Sequence, residues 1–259
     1  MPADRKKQLA SLDKLLTIMD ELREKCPWDQ KQTFQSLRHL TIEETYELGD
    51  AILDHDLEAI KNELGDLLLH IVFYAKIASE THDFDISDVA EGISKKLVFR
   101  HPHVYGDVKA LDEETVKKNW EKLKLKEGKK SVFDGVPKSL PALVKASRIQ
   151  DKAAGVGFDW SHTEDVKKKL EEELEELDKE VKSGTIDRQE DELGDVLFSM
   201  INYARFLGIN PEDALERTNK KFIKRFRFME SFAAEKGLNI EKLSLEQMES
   251  IWQKSKDKI

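Results

Sequence analysis

Acidic residues at helical spacing carry the chemistry of this chain. In LEEELEEL, Leu170 to Leu177, residues three and four apart share one helical face, so Glu172, Glu173 and Glu176 crowd one side. Glu192 and Asp195, in DELGDVLF, repeat the arrangement on a second helix. Two helices joined by a brief turn pack antiparallel, which gathers four or five carboxylates around one point. Like charges ~4 Å apart repel by roughly 4 kcal/mol at an effective dielectric of about 20. Carboxylates converging on a half-buried site therefore protonate, spread apart or bind a cation. An oxygen-only ligand set selects a hard cation, Mg2+ or Mn2+, over zinc. The competing reading is a solvated face, since seven of the ten residues from Glu171 to Glu180 are acidic.

A repeat decides between the two. The acids Glu43, Glu44, Glu47, Glu63 and Asp66 recur as Glu172, Glu173, Glu176, Glu192 and Asp195, each 129 positions later. With acids at 52 of 259 positions, five such coincidences have chance odds of about one in three thousand for a given offset. ELGDLL at Glu63 matches ELGDVL at Glu192, and Tyr74-Ala75 matches Tyr203-Ala204. Two copies of EExxE followed by ExxD favour a metal site over an accidental acidic face.

The elements that position these acids read as helices throughout. Leu9 to Leu22 keep helical apolar spacing, CPWD interrupts it, and Thr33 is placed to cap a helix from Phe34 to about Asp54. Asp56 caps a third, with a broad apolar face including Leu64, Leu67, Leu68, Ile71 and Val72, and a fourth spans about Ile86 to Phe99. RHPHVYGD reads as a loop, and a helix follows from Asp112 through Trp120 to Lys126. EGKKSVFDGVPKSLP, with two glycines and two prolines, marks a linker. Helices are then expected over about Ala142–Ala153, Glu164–Val181, from an Asp187 cap to Leu207, from Asn210-Pro211 to Lys236, and from a Ser244–Gln247 capping box to about Lys256. The expected organisation is all-α: tandem helical domains at 1–126 and 142–259, joined by a linker at 127–141.

Composition agrees: 37% charged, 8% aromatic, with 12 glycines and 6 prolines suit an ordered helical protein. The net charge of −9 disfavours a nucleic-acid backbone or an anionic membrane as partner. One cysteine, Cys26, excludes an intramolecular disulfide. With no signal-peptide core and no long apolar run, a cytoplasmic location is expected.

The tandem acids, CPWDQKQTFQSLRHLTIEETYE, RHPHVYGD, and VPKSLPALVKASRIQDKAAGVGFDW across the linker together resemble the MazG family of the all-α nucleoside triphosphate pyrophosphatases. The resemblance covers nearly the whole chain. It implies magnesium dependence, a tight homodimer, and hydrolysis of nucleoside triphosphates, ribo or deoxy, to monophosphate and pyrophosphate. On the family pattern Glu173, Glu176, Glu192 and Asp195 hold the metal. Glu172 positions or deprotonates the attacking water, and spacing does not separate that role from ligation. Lys169 and Trp252 become substrate contacts, with core packing the alternative for Trp252.

The phosphate tail needs cations as well, and Lys221, Lys224 and Arg225 share one face of NKKFIKRFR. A solvated basic stripe is the alternative. The first half offers KLVFR in place of KFIKR, so Phe99 stands where Lys224 stands. Asn202, able to read a base edge or simply satisfied in the core, corresponds to Phe73. The second half is therefore the expected main site, and the first is weakly active, specific for other substrates, or regulatory. His101 and His103, two apart in a loop, make a poor metal pair. Cys26 has no paired base, and no glycine-rich phosphate loop occurs.

Overall fold

The structure, a computed structural model, describes residues 4–106, 116, 131–256 and 258. Apart from position 116, the expected helix from Asp112 to Lys126 lies outside these residues, as does the expected linker's start at 127–130. Among the described residues every regular element is a helix, and none is long and apolar enough to cross a membrane. Two compact units divide the chain, Met1–Lys109 and Ala110–Ile259.

In the first unit α1 (Arg5–Lys25) leads through a 3-10 turn at Asp29–Lys31 to α2 (Phe34–Leu53), α3 (Leu57–Glu80) and α4 (Ile86–Arg100). Thr33 starts α2 with a reciprocal cap: its Oγ1 accepts from the Ser36 amide at 3.1 Å, and Ser36 Oγ accepts from the Thr33 amide at 2.9 Å. Asp56 caps α3 by accepting from the amides of Glu58 and Ala59, both at 3.0 Å. RHPHVYGD is not purely a loop, because Pro102 opens a one-turn helix, α5 (Pro102–Tyr105). Proline's fixed φ suits a first helical position, where its missing N–H costs no hydrogen bond.

Met19 from α1, Leu37 from α2, and Val72 and Phe73 from α3 form the core of this unit, with Leu40 and Leu68 packed against it. Beside it Thr41 Oγ1 lies 2.7 Å from both His70 Nδ1 and Tyr74 Oη, which satisfies a histidine otherwise costly to bury. Burial lowers the His70 pKa, against a smaller opposing pull from Asp66. The broad apolar face expected on α3 is split: Val72 and Phe73 are buried, while Leu64 and Ile71 stay exposed.

The second unit comprises α6 (Ala142–Ala154), α7 (Thr163–Ser183), α8 (Ile186–Phe206), α9 (Pro211–Glu235) and α10 (Leu245–Lys256). Gly157, at φ 91°, terminates α6. The Phe158 amide donates to the Ala153 carbonyl at 3.0 Å and the Gly157 amide to Ala154 at 2.9 Å, a double closure needing a left-handed residue. Buried Lys152 donates to the Val132 carbonyl at 2.9 Å, fastening part of the expected linker to α6.

Only Gly184 and Thr185 separate α7 from α8. Thr185, not Asp187, caps α8, since Thr185 holds the extended backbone a cap requires and accepts from the Arg188 amide at 3.5 Å. Asp187 falls in the first turn, where its charge meets the helix N-terminus favourably. Asn210 caps α9, and Ser244 with Gln247 caps α10 reciprocally, both as expected. The duplication is structural too. Phe34 and Thr163 open the acidic helices and Leu57 and Ile186 the helices after them, each pair 129 residues apart.

Leu37 is 1% exposed in the four-residue core. Leu37→Ala is expected to cost about 3 kcal/mol of stability, read as a lowered urea midpoint for the first unit.

Candidate active site

On α7 the sequence spacing buries Val166, Leu170 and Glu173 along one face. The two apolar residues seat the helix, and the third position on the face is a carboxylate only 7% exposed. Glu176 follows one turn later, and Glu192 comes across from α8. Carboxylate oxygens of Glu173, Glu176 and Glu192 all lie within 4.8 Å of one another. Asp195 is exposed and outside that triad, but it lines a small cavity together with Glu173 and Lys169. Glu172 is also exposed, on the rim. In the first unit a trio of Glu44, Glu63 and Asp66 lies within the same 4.8 Å, so Asp66, the repeat counterpart of Asp195, stands in it where the counterpart of Glu176, Glu47, does not; Glu43 and Glu47 face solvent.

The electrostatics record the crowding. Partial burial raises the Glu192 carboxyl above its ordinary value, and Glu176, Asp195, Glu173 and Glu180 push it further the same way. Glu44 is raised by burial and then by Asp66, Glu47, Glu63 and Glu43. Lys169 Nζ answers part of this charge, 3.0 Å from Glu172 Oε1 and 3.0 Å from Glu173 Oε1. Hydrogen bonds to Glu173 and Glu172 raise the Lys169 pKa, so it is charged throughout the neutral range. Three clustered carboxylates whose repulsion Lys169 relieves only in part, with only oxygen donors, fit a hard divalent cation.

Of the other expected contacts, Lys221 and Lys224 lie exposed on α9 and Arg225 is half-buried. Arg225 Cζ stands 5.9 Å from the Trp252 ring centroid, and Phe222 packs on the same indole at 5.1 Å. Trp252 is thus partly a packing residue joining α9 to α10.

Sequence reasoning missed a large cavity of about 500 Å3 beside the acids. Its walls include Phe133, Phe158, Trp160 and Phe198, with Gln150, Asn202 and Arg205 as polar members. Trp160, Phe198 and Asn202 also line the cavity of about 190 Å3 that holds Lys169, Glu173 and Asp195, so the two adjoin. Asn202 and GVGFDW were visible signals, but the walls come from four separate stretches that periodicity does not join.

The first unit differs at these positions. Counted by the repeat, Phe73 replaces Asn202 and Leu40 replaces Lys169, and both belong to its apolar core.

Removing one repelling charge tests the electrostatic reading. At neutral pH Glu192→Gln is expected to raise the melting temperature without added metal. Ionising a carboxyl whose folded pKa is raised costs stability as pH climbs above the unfolded value. The gain from Glu192→Gln should therefore vanish near pH 4, and a fall in melting temperature at pH 7.5 would refute the crowding.

The sequence profile of the MazG nucleotide pyrophosphohydrolase domain matches residues 32–105 and again 161–228, each span holding one acidic helix pair. The chain is 44% identical over 254 residues to the nucleoside triphosphate pyrophosphohydrolase of Escherichia coli (strain K12), covering 95% of this chain and 97% of that one. It is 45% identical over 249 residues to the nucleoside triphosphate pyrophosphohydrolase/pyrophosphatase MazG of Thermotoga maritima, covering 94% and 95%. An uncharacterised Bacillus subtilis protein, YabN, is 46% identical over 247 residues, which span 93% of this chain but 50% of YabN. Two profile matches on the duplicated helix pairs, with such identity along nearly the full length, place the chain in the MazG nucleotide pyrophosphohydrolase family.

Proposed function

We infer that this chain hydrolyses nucleoside triphosphates, ribo or deoxy, to the monophosphate and pyrophosphate, with the second unit as its main site and Mg2+, or Mn2+ in its place, as cofactor. The observation that carries the reading is the adjacency of a carboxylate triad on α7 and α8 and an aromatic cavity that α8 shares with α6 and the segment after it. The names of the Escherichia coli and Thermotoga maritima relatives support it independently.

Cleavage between the α and β phosphates requires a water oxygen to attack phosphorus while charge on the phosphate oxygens is neutralised. Glu173, Glu176, Glu192 and Asp195 would hold the metal, which supplies Lewis-acid charge neutralisation when bound. Glu172, on the rim beside Lys169, orients the attacking water or takes its proton. Lys169 is placed to exchange a carboxylate partner for a phosphate oxygen, and Lys221, Lys224 and Arg225 bind the polyphosphate from α9, with Trp252 holding Arg225 in place. In the first unit Glu43, Glu44, Glu47, Glu63 and Asp66 keep the acids, but the positions of Lys169 and Asn202 are filled by core residues, so this unit serves a lesser or regulatory part. Boundaries at 1–126 and 142–259, with a linker between, belong to the same reading, as does a cytoplasmic nucleotide-pool role.

A homodimer accounts for α8's outer face. Leu193, Leu197 and Met200, at i, i+4 and i+7, are 48%, 56% and 49% exposed. Leu64 and Ile71 are exposed at the repeat-related positions of α3. Leu68, the counterpart of Leu197, packs on the core instead; the full stripe on α8 calls for a covering partner, and a second copy of the chain is the partner the resemblance implies.

Glu173→Gln is expected to lower turnover of each common nucleoside triphosphate at least 100-fold with the helical circular-dichroism signal intact, whereas Glu44→Gln should change it less than threefold. Equal losses would overturn the ranking of the two units. Anion-exchange analysis of products should show monophosphate with pyrophosphate, and diphosphate with phosphate would refute the bond assignment. Light scattering should give about twice the 29.9 kDa chain mass for the parent and a lower mass for Leu197→Asp.

A further inference from the structure

The large cavity of the second unit contains two side-chain amides whose orientations are both fixed by the protein. Gln150 is 5% exposed. Its Nε2 donates to the Phe198 carbonyl at 2.8 Å, which fixes the amide's orientation, because a carbonyl accepts but cannot donate. Gln150 Oε1 is buried and has no hydrogen-bond partner. Leaving such an acceptor unmet costs about 1–3 kcal/mol.

Asn202 is fixed in the opposite sense. Its Oδ1 accepts from Arg205 Nε at 3.1 Å and from Arg205 Nη2 at 2.8 Å. Arginine only donates, so the oxygen is committed to Arg205 and the Nδ2 donors remain for another acceptor. Arg205 is itself held by Asp159, to which Nη1 donates at 2.9 Å while Nη2 contacts the second carboxylate oxygen. Asp159 and Arg205 are positioning residues that determine which atom of Asn202 is offered.

The same cavity is walled by Phe158, Trp160 and Phe198, flat apolar surfaces suited to the faces of an aromatic ring. The adjoining smaller cavity leads to Lys169, Glu173 and Asp195. We propose that the cavity is a nucleobase pocket in which Gln150 Oε1 accepts from an N–H on the base edge and Asn202 Nδ2 donates to the neighbouring ring nitrogen or carbonyl. The proposal rests on the triphosphate-hydrolase reading for the placement of the phosphate tail. It goes further by assigning the base its readers and their polarity.

The polarity sets a specificity rule. Adenine presents an exocyclic N–H beside ring nitrogens, cytosine an exocyclic N–H beside a ring nitrogen, and guanine and uracil a ring N–H beside a carbonyl. One acceptor with one donor thus admits all four and rejects bases lacking the N–H. The repeat places Glu21 at the position of Gln150 and Phe73 at that of Asn202, and Phe73 is 3% exposed in the core, so the first unit lacks this pair of readers.

The test compares AMP with purine riboside 5′-monophosphate, which lacks only the exocyclic amino group, by calorimetric titration of the full chain, with ATP turnover followed in parallel. The parent is expected to bind AMP at least tenfold more tightly, and Gln150→Met to bind the two within about twofold of each other. Asn202→Asp, which keeps a partner for Arg205 but offers an acceptor in place of the donor, should weaken AMP at least tenfold and carries the test if Gln150→Met does not fold. Equal binding of both monophosphates by the parent, with ATP still cleaved, would overturn the pocket. Preferential AMP binding that Gln150→Met removes, with no cleavage of any triphosphate, would uphold the pocket and overturn the hydrolase reading.

Discussion

Repulsion among carboxylates held close on α7 and α8 is the constraint that the second unit is built to withstand. A like-charged pair ~4 Å apart costs roughly 4 kcal/mol at an effective dielectric of about 20. Full burial of one Val, Leu or Ile side chain returns about 1.5–3 kcal/mol. Two or three buried aliphatics therefore offset one such pair, and Val166, Leu170, Val196 and Ile201 are buried on these two helices. The ion pairs of Lys169 help less than their 3.0 Å distances suggest, because the lysine side chain is 35% exposed, and exposed pairs contribute about 1 kcal/mol at most. Packing holds the acids together, and the remaining strain is what a divalent cation would relieve.

The two units meet the same constraint differently. In the first, the positions of Lys169 and Asn202 are taken by Leu40 and Phe73, which enlarge a core with Met19, Leu37 and Val72. Thr41, His70 and Tyr74 form a closed polar network beside it. That unit has exchanged a lysine and an amide for packing while retaining its acids. Duplication kept the five acids and a close carboxylate trio in each unit, with two of the three members at repeat-related positions, and divergence fell mainly on the residues around them.

Much of this was legible in the sequence because it depends on short-range periodicity. The spacing of Glu172, Glu173 and Glu176 on one helix is a local property, and so are the caps at Thr33, Asp56, Asn210 and Ser244. Failures came where tertiary context chose between local options. Thr185 and Asp187 are both good caps, and the two-residue connection selected Thr185. The aromatic cavity needed Lys152 to fasten Val132 and Gly157 to turn the chain after α6, two events that no periodic pattern announces.

Helix α8 shows how these demands are combined on one element. Glu192, Asp195, Ser199 and Asn202 follow one another by three, four and three residues, a single polar stripe, of which Asp195, Ser199 and Asn202 line the smaller cavity. Leu193, Leu197 and Met200 form an apolar stripe left open to solvent. An ordinary surface helix turns its apolar side to the core and its polar side to water, and α8 partly reverses that order. The reversal is stable because Val196 and Ile201 still anchor the helix inside, while the polar stripe faces a cavity rather than packed hydrocarbon. An inward polar stripe is suited to a charged substrate, and the outward apolar stripe is the surface that the proposed second copy would cover, so the two sides of this one helix answer to different demands.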